Sequence, residues 1–249
     1  MSHAEQTTVP IAPPPVVPPP PGAEPDASPS SPSPRSQRFL IRNINWAAYR
    51  QINDALGEHH HYRLSYNGKD LELMTKSYGH GFYGRFFVHL IQILTEALGL
   101  PLSCAGDMTC DREDVERGIE PDECFYIENE PRVRGKEKLD LTVDPPPDLA
   151  LEIDLTTDWR RRMGIYAAIR IPEVWCYEGR TETVTIRVLQ ADGRYAVVER
   201  SRCLPLVSAA DLTMFVQRRK SEEENSLLKA FREWVREQLR QSESRKATD

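Results

Sequence analysis

Residues 145–158 read PPPDLALEIDLTTD. The three prolines end whatever precedes them, because proline lacks a backbone donor and restricts its predecessor. Leu149-Ala150-Leu151-Glu152-Ile153 is short, apolar and bounded, the pattern of a buried strand. Two acids interrupt it, Glu152 in the middle and Asp154 at the end. Desolvating a carboxylate is costly, so acids in a buried strand call for partners. On an extended chain these two share a face, about 6–7 Å apart. Thr156, Thr157 and Asp158 offer N-caps to the helix WRRRMGIYAAI that follows. The unit is therefore strand, acidic end, polar loop, basic helix. An ordinary junction with its acids exposed at a sheet edge would give the same pattern.

The chain has 249 residues and a net charge of −6. Residues 1–36 are dominated by proline and serine and cannot bury enough surface to offset their ordering entropy. They are expected to be a disordered tail of polyproline II character. Its proline runs have the form of a ligand for an SH3-like protein partner, and a plain solvated tail has the same composition. The basic-then-apolar pattern of a signal peptide is absent from the tail. No apolar run approaches the length of a membrane span. Residues 37–216 are long enough for one core and read as a single domain, with residues 217–249 a charged helix and a frayed end. The cysteines number five and lack CxxC spacing, as expected of free thiols in a reducing cytoplasm. The negative balance argues against a generic nucleic-acid coat, while leaving room for one local basic patch.

Along the chain, Trp46, Tyr49, Ile52 and Leu56 recur at helical spacing, so residues 45–56 form a helix closed by Gly57. Residues 62–66 and 71–74 are two strands joined by an Asn67-Gly68 hairpin turn. His59, His60 and His61 are adjacent, so they do not converge on one ion and read as a solvated loop. Residues 78–99 form a long helix with His89 on its apolar stripe, as a core histidine, and His80 at its start, where it either faces a site or takes the commoner cap or surface role. A strand over 102–108, a polar loop over 109–118 and a strand over 124–127 follow. After the helix of residues 158–169, strands at 174–177, 183–189 and 195–199 form an antiparallel meander. A short helix at 208–216 leads to the last helix, whose apolar side holds Leu227, Leu228, Phe231, Val235 and Leu239 and packs on the domain or on a partner.

Neither a nucleophile elbow nor zinc spacing is present, which leaves carboxylates. Asp148 and Glu152 are about 13 Å apart on an extended chain and do not share an ion. Asp148 reads as a turn or cap residue after the prolines. Asp122 opens the strand just before the acidic one, and consecutive strands are often neighbours. Asp122 opposite Glu152 would make a hard oxygen site for Mg²⁺ or Mn²⁺. Arg160, Arg161 and Arg162 begin the next helix and offer a cation to a phosphate. A solvated face accounts for at least one of the three.

The ordered set LELM, a long helix, PD before an apolar strand, PPPDLALEID, D-x-x-x-R-x-x-x-Y and IPEVWCYEG resembles the Uma2 family of restriction endonuclease-like proteins, common in cyanobacteria. The resemblance spans about residues 63–215. It implies an α/β restriction endonuclease-like (PD-(D/E)XK) fold, a central mixed β-sheet flanked by helices, with the meander after the active-site helix. It implies a cytoplasmic Mg²⁺- or Mn²⁺-dependent endonuclease acting on DNA, with Asp122 and Glu152 as metal ligands. The wider superfamily carries lysine two residues after the second acid, where this chain has Asp154. The Uma2 pattern carries lysine on the following helix, where this chain has Arg162. Arginine grips phosphate but does not exchange its proton, so Arg162 suits electrostatic stabilisation and not general base chemistry. Asp154 becomes a carboxylate behind the ligands or at a second metal. Two other readings stay open: a catalytically silent binding or assembly module of the same fold, and a homodimer formed through the meander or the last helix.

Overall fold

A computed structural model of the chain describes residues 37–57, 61–75, 78–155 and 159–246. The proline-rich tail, His59, His60, Thr156, Thr157 and Asp158 lie outside the described residues.

The acidic strand β8 (Leu149–Asp154) is buried at every position and lies inside a six-stranded sheet. It runs antiparallel to β7 (Glu123–Tyr126) and parallel to β9 (Glu173–Glu178). A parallel neighbour needs a crossover. Here it includes a 3₁₀ turn, Trp159–Arg162, and α4 (Met163–Ile169). Beyond β9 the expected meander is present, β10 (Thr183–Leu189) and β11 (Tyr195–Val198), each antiparallel to its predecessor. On the other side β4 (Ser103–Gly106) pairs with β7 and closes the edge. The result is the mixed sheet flanked by helices that the sequence implied.

Side chains alternate across β8, and the two faces meet different company. Leu149, Leu151 and Ile153 join the main core with Phe86, Phe87, Leu90 and Leu94 of α2 (Tyr78–Leu98). Leu212 and Phe215 of α5 (Ala209–Arg218) enter the same cluster. So do Leu227, Phe231 and Val235 of α6 (Glu224–Lys246), which packs the last helix on the domain itself. Ala150 faces the other way, against Ile165, Tyr166 and Ile169 of α4. Glu152 and Asp154 share the face of Ala150.

A second sheet of five strands has the order β1 (Arg38–Ile41), β3 (Leu71–Thr75), β2 (Tyr62–Tyr66), β6 (Arg117–Ile119) and β5 (Cys110–Arg112). Its centre is the hairpin β2 (Tyr62–Tyr66) and β3 (Leu71–Thr75), paired from Tyr66↔Leu71. The connection is thus four residues long and not a two-residue Asn-Gly turn. The Asn67 side chain caps it by accepting from the backbone of Lys69 and Asp70. An edge strand, β1 (Arg38–Ile41), pairs with β3 and was not expected. Residues 109–118, expected as a polar loop, instead hold β5 (Cys110–Arg112), a 3₁₀ turn and the start of β6 (Arg117–Ile119). Strands of three residues are too short for an alternation to register, although Cys110 and Ile119 are both fully buried. The helix α1 (Trp46–Leu56) covers this sheet, capped by Asn45 and stacking Tyr49 on Tyr66 at 4.8 Å. A single turn, α3 (Glu130–Val133), lies in the charged excursion before β8. His89, expected in the core, is half-buried at the α2–α6 seam, with its Nδ1 3.4 Å from Glu224.

Candidate active site

Register brings the predicted acids together. Glu123 pairs with Leu151, so one residue further along the same antiparallel register Asp122 stands opposite Glu152. The Asp122 amide donates to Leu151 O at 3.0 Å, and its carboxylate Oδ2 accepts from Ile153 N at 2.7 Å. The acid that enters β7 is therefore fastened to β8 by backbone bonds on both sides of Glu152.

Glu152 is 2% exposed. Its Oε2 accepts from Arg162 Nη2 at 2.6 Å and Nε at 3.1 Å, and its Oε1 accepts from the Tyr166 hydroxyl. Arg162 and Tyr166 are four residues apart, one helical turn, so both reach the same carboxylate. This explains the R-x-x-x-Y spacing in physical terms. Of the three arginines only Arg162 is buried, while Arg160 and Arg161 are exposed. Burial works against the Arg162 charge, but Glu152, Tyr166 and Glu72 outweigh it and raise its pKa. Burial first, then Glu152, pushes the Tyr166 hydroxyl up, so it stays a donor at neutral pH.

The second sheet completes the site with residues that sequence reasoning passed over. Arg63 of β2 forms an ion pair with Asp122. Glu72 of β3 lies 3.5 Å from Arg162 and also pairs with Arg38 of β1. Glu120 accepts from Leu64 N and from the Thr109 hydroxyl, both at 3.1 Å. Glu72 carried the same signal that singled out Glu152: an acid between two branched aliphatic residues inside an apolar run. Applied to LELM as to LALEID, that rule would have found it. Arg63 had no such flag, because an arginine near a strand end commonly faces solvent.

Arg63, Glu72, Glu120, Asp122, Glu152 and Arg162 line one cavity of about 10 Å³, room for a single water-sized occupant. Asp154 is buried at 4% exposure but is not among the lining residues. Its charge faces His80. The expected cap or surface role for His80 is corrected: the residue is 3% exposed and feels the charges of Arg63, Arg162 and Asp154. Burial first, then Arg63 and Arg162, push its pKa down to about 4, with Asp154 opposing. Asp148 is a turn fastener, as expected. Its carboxylate accepts from Ile127 N, Asn129 N and Asn129 Nδ2 at 2.7, 2.9 and 2.6 Å.

The donor chemistry bears on a metal ion. Among the described residues no three His, Cys, Asp or Glu groups cluster as a ready-made cage. Mg²⁺ needs less, being commonly held by one or two carboxylates with waters and substrate phosphate making up the rest. Asp122 and Glu152 supply that donor set. Four carboxylates against three guanidiniums, counting Arg38, leave the site one formal charge negative. The residues fit such an ion in kind and in charge, and their oxygens already hold arginines.

A mixed sheet with opposed acids on adjacent strands, followed by a short helix that brings a cation onto the second acid, defines a restriction endonuclease-like α/β protein. Residues 46–214 match the model of the Uma2 family, described as "Putative restriction endonuclease", and the chain belongs to that family. Among solved structures it is similar to "a putative nuclease belonging to DUF820" from Anabaena variabilis ATCC 29413, at 14% identity and a TM-score of 0.48, covering 70% of this chain and 99% of that one. No curated protein matches the sequence. Among the described residues no helix is long and apolar enough to cross a membrane.

Proposed function

We propose that the chain is a Mg²⁺- or Mn²⁺-dependent endonuclease that hydrolyses phosphodiester bonds in DNA. Asp122 and Glu152 hold the ion, and Arg162 steadies the phosphate. Asp154 acts from behind, through His80. What supports this reading is the opposition of Asp122 and Glu152 across β7 and β8, at one cavity lined by buried guanidiniums. A bound divalent ion supplies an acidified, oriented water and stabilises charge on the phosphoryl oxygens. The chain's own part is to fix the two ligands from the backbone of β8 and to set positive charge where a phosphate would arrive. Among the described residues no lysine lines the cavity, and a bound ion would supply the acidified water.

The test is plasmid cleavage in Mg²⁺ and in Mn²⁺ by Asp122→Asn and Glu152→Gln, which keep shape and remove ligand charge. Both are expected to lose at least about a hundredfold in rate while keeping the far-UV spectrum of the parent. Cleavage at the parent rate in both variants would overturn the assignment. One observation favours the silent-module reading: each carboxylate already holds a guanidinium. Calorimetric titration with Mn²⁺ separates the two, since a silent module takes up no ion at millimolar concentration even with DNA present.

A further inference from the structure

Arg63 is the residue the proposed chemistry leaves unexplained. Nine-tenths of its side chain is buried, it lines the cavity, and it pairs with Asp122. Its Nη2 makes one long bond of 3.4 Å, to Asp122 O, and its Nε is buried with no hydrogen-bond partner. Burial works against its charge, and Arg162 repels it. A guanidinium offers five donors in a planar fork that matches phosphate oxygens. This one is held in place with donor capacity unused.

Arg162 shows the complementary feature, a second acceptor within reach. It bonds Glu152 closely and lies 3.5 Å from Glu72. A shift toward Glu72 or toward an arriving anion would free Glu152 Oε2 without stranding the charge. The cavity meanwhile has room for about one water-sized group beside both ion pairs as they stand.

We propose that Arg63 is a phosphate-binding residue, and that the pairs Arg63–Asp122 and Arg162–Glu152 are exchange pairs. A phosphodiester anion draws the two guanidiniums onto its own oxygens, and the carboxylate oxygens so released take the divalent ion. Anion and cation therefore bind with positive linkage, each raising the affinity of the other by the same factor. No covalent bond changes in the exchange. This rests on the proposed metal site and adds an order to it: the ion binds well only with the phosphate.

The probes are Mn²⁺, read as free ion by electron paramagnetic resonance, and a short DNA duplex, read by fluorescence anisotropy at low temperature. Controls are the duplex alone with Mn²⁺ and a duplex with neutral methylphosphonate linkages. In the parent chain Mn²⁺ should bind about tenfold more tightly with the charged duplex, and no more tightly with the neutral one. Arg63→Met should bind Mn²⁺ more tightly than the parent without DNA, keep only the part of the linkage that Arg162–Glu152 carries, and bind the duplex more weakly. Arg63→Lys keeps the charge without the fork and should retain part of the linkage, so it carries the test if the Met variant does not fold. Equal Mn²⁺ affinity with and without the charged duplex overturns the exchange and leaves the metal site standing. No Mn²⁺ uptake in any chain, with or without DNA, overturns the metal site and the exchange together. Unchanged duplex affinity in Arg63→Met removes Arg63 from phosphate binding.

Discussion

His80 shows how much a buried side chain reveals once its neighbours are known. Burial disfavours the charged imidazole, the charges of Arg63 and Arg162 add to this, Asp154 opposes them, and its pKa falls from 6.5 to about 4. As pH drops, the unfolded chain takes up this proton first, so the folded state is disfavoured from about pH 6.5 down to about pH 4. The contribution is fully present above that window and lost below it. Its size is on the order of 3 kcal/mol, because one pKa unit corresponds to about 1.4 kcal/mol. The urea midpoint of His80→Asn should therefore depend less steeply on pH between 6.5 and 4 than that of the parent. Parallel pH profiles would show that another group carries the slope. The sequence placed this histidine at the start of a helix, yet nothing in its immediate neighbours announced one arginine from a strand and another from a distant turn.

At the scale of elements, legibility followed length and contrast. The acidic strand, the long helix α2 and the meander could be read because each carries an unbroken period. The β5–β6 hairpin could not, because its two strands span three residues each. Half of the site was legible for another reason: Asp122, Glu152 and Arg162 fall in one strand, strand and helix succession, whereas the second sheet that supplies Arg63 and Glu72 comes from earlier in the chain. That sheet meets α1 at a tight point. A Cβ at Gly118 would overlap the hydroxyl and ring of Tyr49, which is fully buried and stacked on Tyr66. Gly118→Ala should destabilise the fold by about 1–3 kcal/mol, as overpacking does. Because β6 runs directly into Glu120 and Asp122, it should also weaken Mn²⁺ uptake. Urea unfolding beside a Mn²⁺ titration measures both, and a parent-like result in each would mean the sheet does not position the site.

On the scale of the whole molecule, the C-terminal helix is part of what holds the main sheet. Leu227, Leu228, Phe231 and Val235 are buried in the core, with Phe231 edge-on to Phe215 at 4.8 Å. At about 1.5–3 kcal/mol for each buried side chain, their loss is comparable to the entire stability of about 5–15 kcal/mol typical of a domain. A chain ending at residue 223 should therefore lose its cooperative thermal transition and elute as aggregate, which gel filtration and a melting scan would register. A sharp transition at the parent temperature would instead establish that residues 37–216 stand alone as a domain.

The two faces of β8 divide the labour of the molecule. Leu149, Leu151 and Ile153 hold the fold from one side, while Glu152 and Asp154 carry ionisable groups on the other. Substitutions that remove a buried acid together with its guanidinium can therefore accumulate on the charged face of this strand with little disturbance to the apolar one. Under the proposed function, a descendant that traded such a pair there would lose turnover before it lost its shape. Such a lineage could pass through inactive ancestors and return to catalysis, or settle into another task, on a scaffold that never had to be rebuilt.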